Sequence, residues 1–267
     1  MVEATTRVNM SYIRLPILMA TLLYFSLGCA LAAEPDHAQR SQIDGWLMHQ
    51  QNRTDGGLDV SVSKNNLRIF IPKNGLTLLA GAPWKEVAIY CTKTKNIYQT
   101  SASEFRNPYL RAMSLFDGHT KTEVPIVFKE NCEDLAMPCK TYTARPGFDR
   151  EQMLRRKNQL VNAGAPVEIT YITTGSLHCD PHIGRLMSRF YAIPEMDDVP
   201  LQFRYVDTSQ KKSVELSTAS CKKSKFKSSE FDIPGGLKPV KDAMAVLVPD
   251  NRNGELDLMM MGQTKVK

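Results

Sequence analysis

The chain has 267 residues, with 34 Lys and Arg against 28 Asp and Glu, and a formal net charge of +6. Hydrophobic residues make up 42% and charged residues 23%, which excludes a disordered polyelectrolyte and is enough for one sizeable core. So mild a basic excess fits attraction to an acidic surface but does not by itself mark a function.

The N-terminus reads as an export signal. Arg7 and Arg14 flank the start of the uncharged run Leu15 to Leu27, and Ala30-Leu31-Ala32 places small residues where a signal peptidase reads. The run is shorter than the roughly 20 residues that cross a bilayer. Residues 1–33 are therefore expected to be a signal peptide directing the chain to the periplasm or the extracellular space, with Met10 as an alternative start. Cys29, in "SLGC", offers lipid anchoring as a second route. The remainder, 34–267, is expected to form a single α+β domain with a loosely ordered tail from about 250.

In chain order, "AQRSQIDGWLMHQQNR" has Ile43, Trp46 and Leu47 at helical spacing and predicts a short helix. Five antiparallel strands follow between residues 58 and 100. Leu58, Val60 and Val62 alternate with polar residues, as do Leu67, Ile69 and Ile71, and Asn65-Asn66 and Asn74-Gly75 mark turns. Val87, Ile89 and Cys91 share a face of the next hairpin, whose tip is "TKTKN". "SASEFRNPYLRAM" opens with Ser101 or Ser103 as a helix cap, and Pro108 interrupts it. "EVPIVFKE" predicts a strand, then a short polar loop bearing Cys132 and Cys139. "DREQMLRRKNQLVNAGAP" predicts a helix capped by Asp149, and "VEITYITT" a strand. "DPHIGRLMSRFYAIP" predicts a helix with Asp180 as N-cap and Pro181 in its first turn. A long hairpin over 199–227 and the turn "FDIPGGLKPV" follow, then a short element in "KDAMAVLVPD".

In an oxidising compartment cysteines pair. Cys132 and Cys139 are expected to form a disulfide across their short loop. Cys91, Cys179 and Cys221 cannot all pair within one chain, which leaves a buried free thiol or a disulfide-linked dimer. His178, Cys179, Asp180 and His182 crowd four potential ligands together, but Pro181 separates the histidines and Asp180 is committed to capping, so no metal site is expected. No Gly-x-Ser-x-Gly elbow or Rossmann spacing of glycines occurs, and no catalytic residue or cofactor is expected. Lys223, Lys225 and Lys227 share one face of an extended strand and, with Lys211 and Lys212 at the preceding tip, would form a basic patch facing an anionic membrane. The other reading of these lysines is a solvated, charge-blunted edge strand. Without interleaved aromatics, no nucleic-acid partner is expected.

The order of elements resembles the LolA-like superfamily of exported lipoprotein and lipid carriers. The resemblance rests on "LRIFIPKNGLTLLAGAPWKEVAIYCTKTKNIYQT", "LMSRFYAIPEMDDVPLQFRYVD" and "VELSTASCKKSKFKSSEFDIPGGLKPV", about a third of the chain. It implies a curved antiparallel sheet, an open half-barrel, covered by helices from a central insertion. The chain departs from the simplest carriers in its extra cysteines and its longer middle segment. The expected function is non-enzymatic binding of a lipid or other apolar small molecule on the concave face. The residues expected to line it are Leu67, Ile69, Ile71, Val87, Ile89, Leu201, Phe203, Tyr205, Val214 and Leu216. Two alternatives remain: a structural or interaction protein of the cell envelope with a filled core, and an exported hydrolase or metal protein using the His178–His182 cluster.

Overall fold

The computed structural model describes residues 42–107, 124–147, 166–207 and 210–247. The expected signal peptide, the helix after Asp149, most of the segment around Pro108 and the C-terminal tail lie outside them. The first seven strands are β1 (Gln42–Asn52), β2 (Gly56–Ser63), β3 (Asn66–Ile71), β4 (Leu76–Gly81), β5 (Glu86–Cys91), β6 (Asn96–Ser101) and β7 (Ile126–Asp134). After them come β8 (Met137–Ala144), β9 (Pro166–Thr174), β10 (Val199–Asp207), β11 (Lys212–Lys227) and β12 (Lys238–Pro239). Helix α1 spans Pro181–Tyr191, between β9 and β10. All twelve strands join one sheet in the order β12-β6-β5-β4-β3-β2-β1-β11-β10-β9-β8-β7. Every ladder is antiparallel except the two-residue pairing of β12 with β6. The sheet is large, curved and unclosed, with β12 and β7 at its margins. Among the described residues it carries a single α-helix rather than several.

The expected meander forms as β2 to β6, because alternation buries Leu58, Val60, Val62, Leu67, Ile69, Ile71, Val87 and Ile89 on one face. The opening segment is not the expected helix. It is β1, which lies between β2 and β11 and pairs along its length with β11. Its inward row is Trp46, Met48, Gln50 and Asn52, so two polar residues occupy core positions and conceal the period of two. Gln50 Nε2 donates to Pro200 O at 3.0 Å and to Thr218 Oγ1 at 2.9 Å, and its Oε1 accepts from the Tyr191 hydroxyl. A fully bonded amide is tolerated in a core where an unpaired one is costly.

Helix α1 begins as its sequence predicts. The Asp180 side chain accepts from the His182 amide at 2.9 Å, and Pro181 occupies the first turn. Ile183, Leu186, Met187 and Phe190 are buried against the sheet. Gly184 lies against the carbonyls of Asp197 and Asp198, which brings the chain that leaves the helix across its first turn. One core results, shared by the β2–β5 arm, β9–β11 and α1. A smaller cluster of Leu79, Ala88, Tyr90 and Ile97, with Leu237 against it, covers the outer face near β12.

Candidate ligand-binding site

The inward face is the place to seek a ligand, since sequence alternation assigned ten residues to it. Nine of them, Leu67, Ile69, Ile71, Val87, Ile89, Leu201, Phe203, Tyr205 and Leu216, are at most 5% exposed and lie in the larger core. Most have no exposure at all, so no water-sized space meets their side chains. Aromatic side chains take up part of the interior. Tyr171 meets Phe203 edge to face at 5.3 Å, and its hydroxyl is 3.2 Å from Ser188 Oγ on α1. Burial pushes the Tyr171 hydroxyl well above its ordinary pKa, so it stays protonated.

Val214 departs from its expected place and is 50% exposed. Phe203 pairs with Leu216, but Arg204 pairs with Val214, so Glu215 is an inserted residue. A bulge of one residue exchanges the faces of everything beyond it. Leu216 therefore points inward, while Val214 stands beside Arg204 on the outside. Arg53 Nη1 holds the bulge, donating to Glu215 Oε1 and to the Tyr205 hydroxyl, both at 3.2 Å.

The expected basic patch is divided. β11 is one continuous strand of 16 residues. Lys212 and Lys223 are separated by about 36 Å along it at roughly 3.3 Å per residue. Lys211 and Lys212 thus stand at one end, Lys223, Lys225 and Lys227 at the other. The latter three pair with Trp46, Asp44 and Gln42 of β1 on one side, and the β10 ladder does not reach them on the other, so this end of β11 is a local sheet edge.

The His178–His182 cluster is a helix entry. His182 stacks on Trp84 at 5.6 Å, and its Nδ1 lies 2.8 Å from Asp180 Oδ1. Trp84 Nε1 donates to the other carboxylate oxygen at 2.9 Å. Burial raises the Asp180 pKa, but the hydrogen bonds from His182 and Trp84 outweigh it and hold the carboxyl below its ordinary value. His178 sits in the preceding turn with φ 51° and faces elsewhere. Among the described residues no three His, Cys, Asp or Glu side chains converge as metal ligands.

Cys132 and Cys139 lie on a β-hairpin, not in a loop, and are register partners across β7 and β8. They are thiols here, not joined as expected. Thr141 Oγ1 donates to Cys132 Sγ at 3.2 Å, and Cys139 Sγ to the Met137 carbonyl at 3.3 Å. Cys91, Cys179 and Cys221 are also free, and burial pushes the thiols of Cys179 and Cys221 up to about 11. Only the thiolate attacks, so both should alkylate roughly a hundredfold more slowly at pH 8 than an ordinary thiol. Their rate should climb about tenfold per pH unit toward 11, as the proton leaves. Labelling of the folded protein with iodoacetamide between pH 7 and 9.5, read by mass spectrometry, measures this. A plateau near pH 9, or rapid disulfide-linked dimer formation at neutral pH, would contradict it.

No protein-family model matches the chain, and no curated protein does. Among solved structures, a conserved, uncharacterized protein from Thermus thermophilus is 13% identical with a TM-score of 0.40, over 74% of this chain and 90% of that one. A LolA superfamily protein from Nitrosomonas europaea is 10% identical with a TM-score of 0.24, over 72% and 90%. These are coarse likenesses of fold, and at such scores neither bears on what this chain binds.

Proposed function

We propose that this is an exported, non-enzymatic protein that binds a lipid or other apolar small molecule on the inward face of its unclosed sheet. The observation that supports it is a continuous apolar face running from β5 through β3 and β2 to β11 and β10, on a sheet that does not close on itself. Such a face must be covered by something. Where the cover is another segment of the chain, an acyl chain can replace it with little loss, because both remove the same apolar area from water at about 25 cal/mol per Å². Binding on this reading is exchange of one cover for another, which reconciles a ligand site with side chains that are buried without it.

Protein purified without detergent should carry a lipid adduct in native mass spectrometry and displace an environment-sensitive dye when a lipid is added. A bare mass together with no dye displacement would overturn the reading. The near-zero exposure of the nine residues favours a second one, an envelope interaction protein whose core is permanently filled. That protein would give the bare mass and no displacement, so the same measurement separates the two.

A further inference from the structure

The inward row of β11 continues after the apolar core has ended. Thr218 pairs with Gln50, Ala219 is a bulged residue, and beyond it Cys221, Lys223 and Lys225 pair with Met48, Trp46 and Asp44. Met48 and Gln50 face the core, so the row that holds Leu216 and Thr218 becomes a row of lysines on the same side of the sheet. The β10 ladder ends at Leu216, which leaves the last part of β11 with β1 as its neighbour on one side only. A cavity of about 620 Å³ opens there, a size usual for small-molecule sites.

Its walls combine two chemistries. Lys64, Lys223 and Lys225 supply three cations against the single carboxylate of Asp44, and Trp46, Leu177 and His178 are among the rest of the wall. Lys223 Nζ stands 5.6 Å from the centre of the Trp46 ring. None of the three lysines is ion-paired with a carboxylate among the described residues. Buried Met48 and Val62 flank Trp46 along and across the sheet, so the packed apolar core begins next to the charged mouth. Both lysines of the row are exposed, so their charges stand in solvent at the end of the apolar core, available to an anion.

We propose that this mouth seats the oxyanion headgroup of a single-chain amphiphile, whose tail enters the interior past Met48 and Val62. The proposal rests on the apolar-ligand reading above and adds the class of ligand. Lys223 and Lys225 hold the headgroup by charge-assisted hydrogen bonds, Lys64 closes the opposite side, and Trp46 packs on the first methylenes.

Calorimetry on the full chain with three probes tests it: dodecyl phosphate, dodecyl maltoside and inorganic phosphate, the first two below their micelle concentrations. Dodecyl phosphate is expected to bind roughly tenfold tighter than the maltoside, and inorganic phosphate weakly. In a Lys223→Gln, Lys225→Gln protein the two dodecyl probes should bind alike, with the maltoside unchanged. Equal affinities in the unmodified protein, or no effect of the double substitution, would overturn the headgroup site while leaving the apolar-ligand reading intact. Inorganic phosphate binding as tightly as dodecyl phosphate would make this a free-anion site and overturn the amphiphile. Failure of both dodecyl probes to bind would remove the apolar-ligand reading itself, and this proposal with it.

Discussion

Replacing Gly184 by alanine should destabilise the protein by about 2–3 kcal/mol, through overpacking against fixed backbone. By helix propensity alone the same change would stabilise a helix by up to about 1 kcal/mol, so the sign is the test. A Cβ on Gly184 would meet the Asp197 carbonyl closer than any normal contact and the Asp198 carbonyl at 2.6 Å. Both are backbone atoms, and Arg185 Nε holds the Asp197 carboxylate at 2.7 Å, so the segment cannot move away freely. Urea unfolding of Gly184→Ala beside the unmodified protein gives the answer. A neutral or stabilising result would mean that the 197–198 segment does not cross the helix as described.

Phe203→Ala should cost about 3–5 kcal/mol, the range for emptying a large aromatic site. Phe203 has no exposure, meets Tyr171 edge to face, and pairs across the ladder with Leu216. Val214→Ala, two residues from Leu216, should lie within about 0.5 kcal/mol of the unmodified protein because Val214 stands in solvent. The contrast measures the bulge at Glu215, since without it Val214 would be a core residue. Similar losses for the two substitutions would refute the register.

How much of this was legible in the sequence depended on whether polarity followed the pleat. β2 and β3 were legible because their apolar residues alternate between turns marked by Asn65-Asn66 and Asn74-Gly75, and β4 and β5 as short apolar runs between turns. Helix α1 was legible because Asp180 and Pro181 announce its start. β1 was not, because Gln50 and Asn52 hold inward positions, and only partners remote in the chain make that tolerable. Pro200 and Thr218, the acceptors of Gln50, lie about 150 and 168 residues away. The β7–β8 hairpin hid for another reason. Its turn is Leu135-Ala136, both with positive φ, where a sequence reader looks for Asn-Gly. Leu135 packs against the core, and Gln202 Nε2 donates to Asp134 Oδ2 at 2.6 Å, so tertiary contacts impose the turn.

The candidate site suffered most from bulges. Each single-residue insertion in β11, at Glu215 and at Ala219, reverses which residues face inward. Val214 is lost from the inner row by the first. Lys223 and Lys225 arrive there by the second, while Phe226 goes to the outer face against Phe231. Spacing along the chain placed the three lysines on one side correctly, but only the ladder tells which side that is.

A sheet that never closes has two borders, and each could recruit a strand from a neighbouring molecule. Beside β6 lies the two-residue β12, ending at Pro239, which has no N–H with which to extend a ladder. Along β7, Lys129 is the inserted residue between Phe128 and Glu130, and its amine sits 3.2 Å from the Glu130 carboxylate. One border is stopped by a tertiary amide and the other is bent and ionic, so end-to-end templating into fibres meets resistance from chemistry on one flank and from shape on the other.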